Sequence, residues 1–186
     1  PERAGAQPPT LPGSAQAWSL QLPGGERELI LVRSGIGLVA AASALAAVLA
    51  QVRPGTVVSA GTTGGLGRQV EVGDVCASAN LAYTDADATA FGYVRGQTPG
   101  QPETFAGDPA LLERLERVGP AALRSATASS GSARLHVGQM LAGNSFITAA
   151  NVTDTREVFP TALSTDMEST ALAQVAASAG IPFVSV

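Results

Sequence analysis

The chain of 186 residues is long enough for one domain with a sizeable core, and at 45% hydrophobic and 14% charged it reads as globular rather than disordered. Its net charge of −4 comes with 11 basic residues, all arginine and nowhere clustered, which excludes nucleic acid as the expected partner. The single cysteine, Cys76, excludes an intramolecular disulfide, and the single histidine, His136, excludes a multi-histidine metal site or a Ser-His-Asp arrangement built elsewhere.

Residues 1–17 are rich in Pro, Ala and Gly and read as a poorly ordered arm; residues 18–186 read as one domain without an internal repeat. Trp18 to Leu22 and Glu28 to Val32 read as strands joined through Pro23-Gly24-Gly25. Gly37 to Gln51 reads as an alanine-rich helix stopped before Pro54. Its apolar stretch is too short to span a bilayer, and no secretory signal is visible, so a cytoplasmic protein without membrane contact is expected. Thr56 to Ala60 is a β-branched run expected to be a buried strand, and Asp74 to Tyr83 a long strand holding Cys76 as a buried, inert thiol. Thr84 to Pro102 reads as an ordered, irregular excursion. Asp108 to Val118 reads as a helix with Asp108 as N-cap and Pro109 in the first turn. Ala121 to Ala142 is expected to be mainly strand, broken near Ser129 to Ser132, with His136 a strand residue. Ala149 to Val158 reads as a helix, Ala162 to Thr165 as a strand, Met167 to Ala179 as a helix and Pro182 to Val186 as a last strand. Strands alternating with helices argue for an α/β fold, a sheet with helices on both faces. The chain starts at Pro1 and stops inside an apolar run at Val186, so truncation at both ends is expected.

Four segments can carry chemistry. Asp166-Met167-Glu168-Ser169-Thr170 places two carboxylates where a strand gives way to a helix, the edge at which α/β sheets bind ligands. The same residues fit a capping box, Thr165-x-x-Glu168, with acids in the first helical turn. Gly61-Thr62-Thr63-Gly64-Gly65 follows a strand; it is a glycine turn or a loop that a ligand approaches closely, and it matches neither the Walker A nor the GxGxxG pattern. Thr84 to Tyr93 holds Phe91 and Tyr93 among turn residues, so these aromatics need a packing partner or a ligand. Asp85 and Asp87 lack cation-loop spacing and read as structural hydrogen-bonding groups. Phe146, in Asn144-Ser145-Phe146-Ile147, is either core or a stacking surface for a flat ring.

Together with Arg33-Ser34-Gly35-Ile36-Gly37 and Val72-Gly73-Asp74, these segments occur in the order and spacing of a known family. From about Trp18 to Val186 the chain resembles 5′-methylthioadenosine/S-adenosylhomocysteine nucleosidase, of the purine nucleoside phosphorylase-like superfamily. The Thr-Ala-Phe-Gly-Tyr segment and the Met-Glu motif are the most discriminating parts. The resemblance implies a single α/β domain with a central mixed, twisted sheet flanked by helices. It implies hydrolysis of the N-glycosidic bond of the two thionucleosides in methionine salvage, without a cofactor or metal, by a homodimer. Glu168 would accept from the ribose hydroxyls, Met167 would pack under the ribose, Phe146 would stack on adenine and the Ile147 backbone would meet its edge. Thr62 and Gly64 would line the pocket floor, and Asp166, counted among the substrate-binding residues, is expected to support the start of the following helix. Ala88, Phe91, Tyr93 and Pro99 would reach the neighbouring subunit's site. The family's water-activating Glu and its proton-donating Asp match no residue here and are expected outside the chain. Asn144 stands where an Asp is common. A phosphate-dependent phosphorylase is the runner-up, although Ser59 stands where those enzymes usually carry an anion-binding Arg. A futalosine-type hydrolase and a non-catalytic nucleoside-binding module are the other readings.

Overall fold

The computed structural model describes residues 9–25, 27–128 and 130–186. Strands β1 (Gln16–Gln21) and β2 (Glu28–Arg33) form an antiparallel hairpin, in register from Gln16 opposite Arg33 to Gln21 opposite Glu28. The arm therefore ends earlier than expected. Thr10 is also tied down, exchanging two hydrogen bonds with Gln51. The hairpin turn uses Gly24 and Gly25 at positive φ, 99° and 76°, which a side chain would strain.

Helix α1 (Leu38–Leu49) buries Ala41, Ala44, Leu45 and Val48. Strand β3 (Val57–Ser59) follows, then the short β4 (Gly64–Gly65) and the long β5 (Val75–Tyr83). Beyond the excursion come β6 (Phe105–Ala106), α2 (Pro109–Ala126), β7 (Leu135–Ala142), α3 (Val152–Val158), β8 (Ala162–Asp166), α4 (Ser169–Ser178) and β9 (Phe183–Ser185). The main sheet runs β4-β8-β7-β5-β6 and is mixed: β5, β7 and β8 are parallel, while β4 and β6 run against them at the edges. Strands β3 and β9 pair in parallel beside it, tied to β5 where the Ser185 amide donates to the Ser78 hydroxyl at 2.8 Å. Parallel strands with helical crossovers bury both faces. Accordingly Leu81, Met140, Leu163, Phe105 and Phe183 form one core cluster, with Ala173 and Ala176 of α4 against it. The alanines that α1 and α4 bury allow the two helices to approach closely.

Several expectations need correction. Strand β3 is not buried: Val58 is 55% exposed. Residues 121–126 are not strand but the last turns of α2, which runs through Pro120. Proline there removes one backbone bond, at a typical interior cost of about 3 kcal/mol. Good helix formers at Ala121, Ala122, Leu123 and Arg124 continue the helix on a surface with room to bend. Ser129, one of the residues placed at the strand break, lies outside the described residues. Helix α3 starts at Val152 because residues 148–151 form a separate turn, with the Thr148 amide donating to Asn151 Oδ1 at 2.7 Å. Helix α4 starts at Ser169, leaving Met167 and Glu168 in the turn before it. No helix among the described residues is long and apolar enough to cross a membrane.

Candidate functional site

The carboxyl ends of β5, β7 and β8 point the same way, so the segments that follow them share one edge of the sheet. These are the excursion from Thr84, the Gly143–Ile147 loop and the Met167–Glu168 turn. Gly64 of β4 pairs with Thr165 at that edge, and the Thr63 hydroxyl donates to the Thr165 carbonyl at 2.8 Å. The topology thus gathers the Gly61–Gly65 loop, Phe146 and the two carboxylates.

The turn before α4 is held by Asp166, not by a Thr165 capping box. Thr165 lies in β8, and Asp166 Oδ1 accepts from the Glu168 amide (3.1 Å), the Ser169 amide (3.0 Å) and the Ser169 hydroxyl (2.8 Å). Burial pushes the Asp166 carboxyl above its ordinary range; the Ser169 and Glu168 bonds oppose that rise and the Glu168 charge adds to it.

With that capping done, the Glu168 side chain turns to a different task. Its Oε1 accepts from the Gly37 amide at 2.7 Å and its Oε2 from the Met167 amide at 3.2 Å. Helix α1 has neither an acid in its first turn nor a side-chain cap of its own, so Glu168 supplies the anion at its positive end. An ionised carboxylate offers about four lone-pair sites. The two amides occupy two, which leaves about two for hydroxyl groups. Gly37 is a member of this site that residue typing did not assign. The signal was a glycine just before a helix; in the structure it has φ 100° and ψ 159°, a conformation essentially confined to glycine.

Phe146 is 73% exposed at the same edge. Ile147 is half-buried and packs on the Leu66, Leu141 and Phe159 cluster. Thr62 and Gly64 are exposed, and Met167 is half-buried. In the excursion, Asp87 accepts from both the amide (3.1 Å) and hydroxyl (2.7 Å) of Thr89 and pairs with Arg95. This staple presents the short 3-10 turn Thr89–Phe91, with Phe91 83% exposed. Pro99 is exposed and Tyr93 half-buried, whereas Ala88 is buried within its own chain, its carbonyl accepting from the Phe91 amide.

His136 and Cys76 lie away from this edge. His136 Nε2 sits 2.7 Å from Asp74 Oδ2, and Arg134 donates to the same carboxylate from its backbone and guanidinium. Those bonds, His136 first, hold the Asp74 carboxyl well below the usual carboxylate range. This cluster locks together the starts of β5 and β7. Burial pushes the Cys76 thiol up. No group of three or more potential metal-ligating side chains occurs among the described residues. A groove of about 430 Å³ between α2 and the start of β9 holds none of the candidate residues.

The architecture is shared with known proteins. The sequence profile of the phosphorylase superfamily matches residues 13–186. The 5′-methylthioadenosine/S-adenosylhomocysteine nucleosidase of Actinobacillus succinogenes is 35% identical over 175 residues, 94% of this chain and 71% of that protein. The crystal structure of the Neisseria meningitidis nucleosidase, in complex with methylthio-immucillin-A, superposes with a TM-score of 0.83 at 33% identity, covering 92% of this chain and 71% of the other. That of the Colwellia psychrerythraea enzyme in complex with adenine has a TM-score of 0.81 at 31% identity, covering 93% and 72%. Fold, sheet edge and relatives agree, and the chain belongs to the 5′-methylthioadenosine/S-adenosylhomocysteine nucleosidase family of the phosphorylase superfamily.

Proposed function

We propose that the protein hydrolyses the N-glycosidic bond of 5′-methylthioadenosine and S-adenosylhomocysteine, releasing adenine and the thioribose product. The observation that carries the reading is Glu168: a carboxylate at the ligand-binding edge, fixed by two amides, with acceptor capacity to spare. In this reading the two ribose hydroxyls take that capacity. Phe146 stacks on adenine, Ile147 meets the purine edge through its backbone, and Met167 packs under the sugar. Thr62 and Gly64 form the floor, and Asp166 fixes the turn that aims Glu168. The C1′–N9 bond breaks with positive charge developing on the ribosyl group. Glu168, holding the adjacent hydroxyls, orients the sugar and stabilises that charge. Water adds at C1′ and loses a proton, while adenine leaves protonated at N7.

The exposed Phe91 and Pro99, with Tyr93 on the same excursion, are assigned to the site of a neighbouring copy in a homodimer, while Ala88, buried within its own chain, supports the turn that presents Phe91. This partner would explain a phenylalanine left open to solvent. In this reading the protein acts in methionine salvage, in the cytoplasm. The test is adenine release from each thionucleoside with and without inorganic phosphate. Release independent of phosphate is expected; strict phosphate dependence would replace the hydrolase with a phosphorylase.

A further inference from the structure

Helix α3 has seven residues, too few to hold its shape by intrinsic propensity. It depends on the face it turns inward: Val152, Thr155, Arg156 and Phe159, spaced i, i+3, i+4 and i+7, while Thr153, Asp154, Glu157 and Val158 are exposed. Val152 and Phe159 join the cluster of Leu66, Leu141 and Ile147. Two polar ties bracket the helix. At its start, Asn151 Nδ2 donates to the Phe146 carbonyl at 3.0 Å while its Oδ1 accepts from the Thr148 amide. Near its end, Arg156 Nε donates to the Leu66 carbonyl at 2.8 Å. Leu66 is buried and directly follows β4, and its own amide donates to the Leu163 carbonyl at 2.8 Å. One end of α3 therefore holds the loop of Phe146, and the other holds the strand that carries Gly64.

We infer that Arg156 is a positioning residue of the proposed nucleoside site: through α3 it fixes the separation between the stacking face of Phe146 and Ile147 and the floor of Thr62 and Gly64. The assignment rests on the hydrolase reading. Both surfaces belong to one protomer, yet no strand pairing joins them. Phe146 follows β7, Gly64 lies in β4, and β8 stands between those strands in the sheet. Helix α3 spans that gap. The group that matters is the Nε–H and not the charge, because its acceptor is a neutral main-chain carbonyl of a buried residue, which loses this partner when the donor is removed. A flat ring held between two surfaces is sensitive to their spacing: a gap of about 0.5–1 Å forfeits a quarter to a half of a dispersion contact.

The test uses the intact protein and two variants. Arg156→Met keeps the stem and the helix propensity but removes the donor, whereas Arg156→Gln puts an uncharged amide N–H where Nε stands. Arg156→Met should raise KM for 5′-methylthioadenosine about fivefold and change kcat by less than about twofold, because it moves a binding surface and no proton-transfer group. Arg156→Gln should stay within about twofold of the native protein in both. Hydrogen exchange gives a readout independent of activity. The amides of Leu66, Gly67, Asn151 and Val152 are all hydrogen-bonded in the native protein; they should exchange faster in Arg156→Met and keep their protection in Arg156→Gln. If the native protein releases no adenine, the hydrolase reading fails, and the exchange data alone decide the coupling. A KM within about twofold of native in Arg156→Met overturns the inference, whatever happens to the melting temperature, since Arg156 is then a structural tie only. Equal losses in the two variants also overturn it, by assigning the effect to the charge. So does faster exchange at 151–152 with 66–67 unchanged, which would show that the two ends of α3 are not coupled.

Discussion

Replacing Glu168 by glutamine separates its two assignments. The side chain keeps its length and shape but loses its charge and exchanges one acceptor oxygen for a donor nitrogen. The remaining oxygen should stay on the Gly37 amide, the shorter of the two bonds at 2.7 Å. The nitrogen would then face the Met167 amide, donor against donor. For the fold, a charge-assisted bond becomes a neutral one, a loss of about 1 kcal/mol. In a chain of this size that corresponds to about 2–4 °C in melting temperature. For the substrate, the two free acceptor sites fall to about one, and that one is weaker. A lost hydrogen bond to a charged group is worth about 1.5–3 kcal/mol, so the combined loss should be about 3 kcal/mol. At 1.36 kcal/mol per decade, kcat/KM for 5′-methylthioadenosine should fall about a hundredfold. Steady-state adenine release and thermal denaturation of the same preparation measure both quantities. A kcat/KM within about threefold of the native value would refute the ribose clamp and leave Glu168 as the anion at the start of α1.

Three further outcomes are expected. Gly37→Ala meets no steric neighbour, so its cost is the backbone conformation alone, about 1–3 kcal/mol, and it should lower both melting temperature and substrate affinity by disturbing the amide that holds Glu168; unchanged values for both would show that this amide does not set the site. Asp74 has a folded pKa below that of the unfolded chain, so its contribution is fully present above about pH 4 and is lost as the pH falls below that. Asp74→Asn should therefore lower the neutral melting temperature and flatten its decline below pH 4; an unaltered acid limb would contradict the assignment. Phe91→Ala removes a mostly exposed ring, so the melting temperature of the monomer should move by about 1 °C or less while thionucleoside affinity and dimer stability drop; parallel losses in folding and binding would place Phe91 in its own protomer's core.

Much of this architecture was legible because the relevant signals are local. Asp108 before Pro109 marked the start of α2, and the side chain does accept from the Leu111 amide at 2.9 Å. Alternating burial was not needed to find β5 or β8, since their apolar runs end at recognisable turn residues. The errors came where tertiary context outweighed local preference. The expected helix ended at Val118, but α2 runs on through Pro120, because it lies on the surface and tolerates the missing bond. The β-branched residues of β3 suggested burial, but burial depends on which neighbours flank a strand. At the site, the segments could be grouped by motif, and the resemblance gave Glu168 the ribose and Asp166 the support of the helix start. The physical reason lay in the tertiary structure: both are acids at a helix start, and the positions of the Ser169 amide and of α1 put Asp166 on the turn and Glu168 on the Gly37 amide. The bond between the Gly37 amide and Glu168 could not be read from the sequence, since it joins residues far apart in the chain.

The bond from Gly37 to Glu168 spans 131 residues of sequence. Closing so long a loop is entropically costly and slow compared with forming the β1–β2 hairpin or any single helix. During synthesis Gly37 emerges long before Glu168 exists, and α1 must wait with its first amides unanswered. The proposed sugar clamp is therefore among the last parts of the molecule to acquire its shape. Refolding followed by a probe at α1 and by recovery of nucleoside binding should show the second lagging the first.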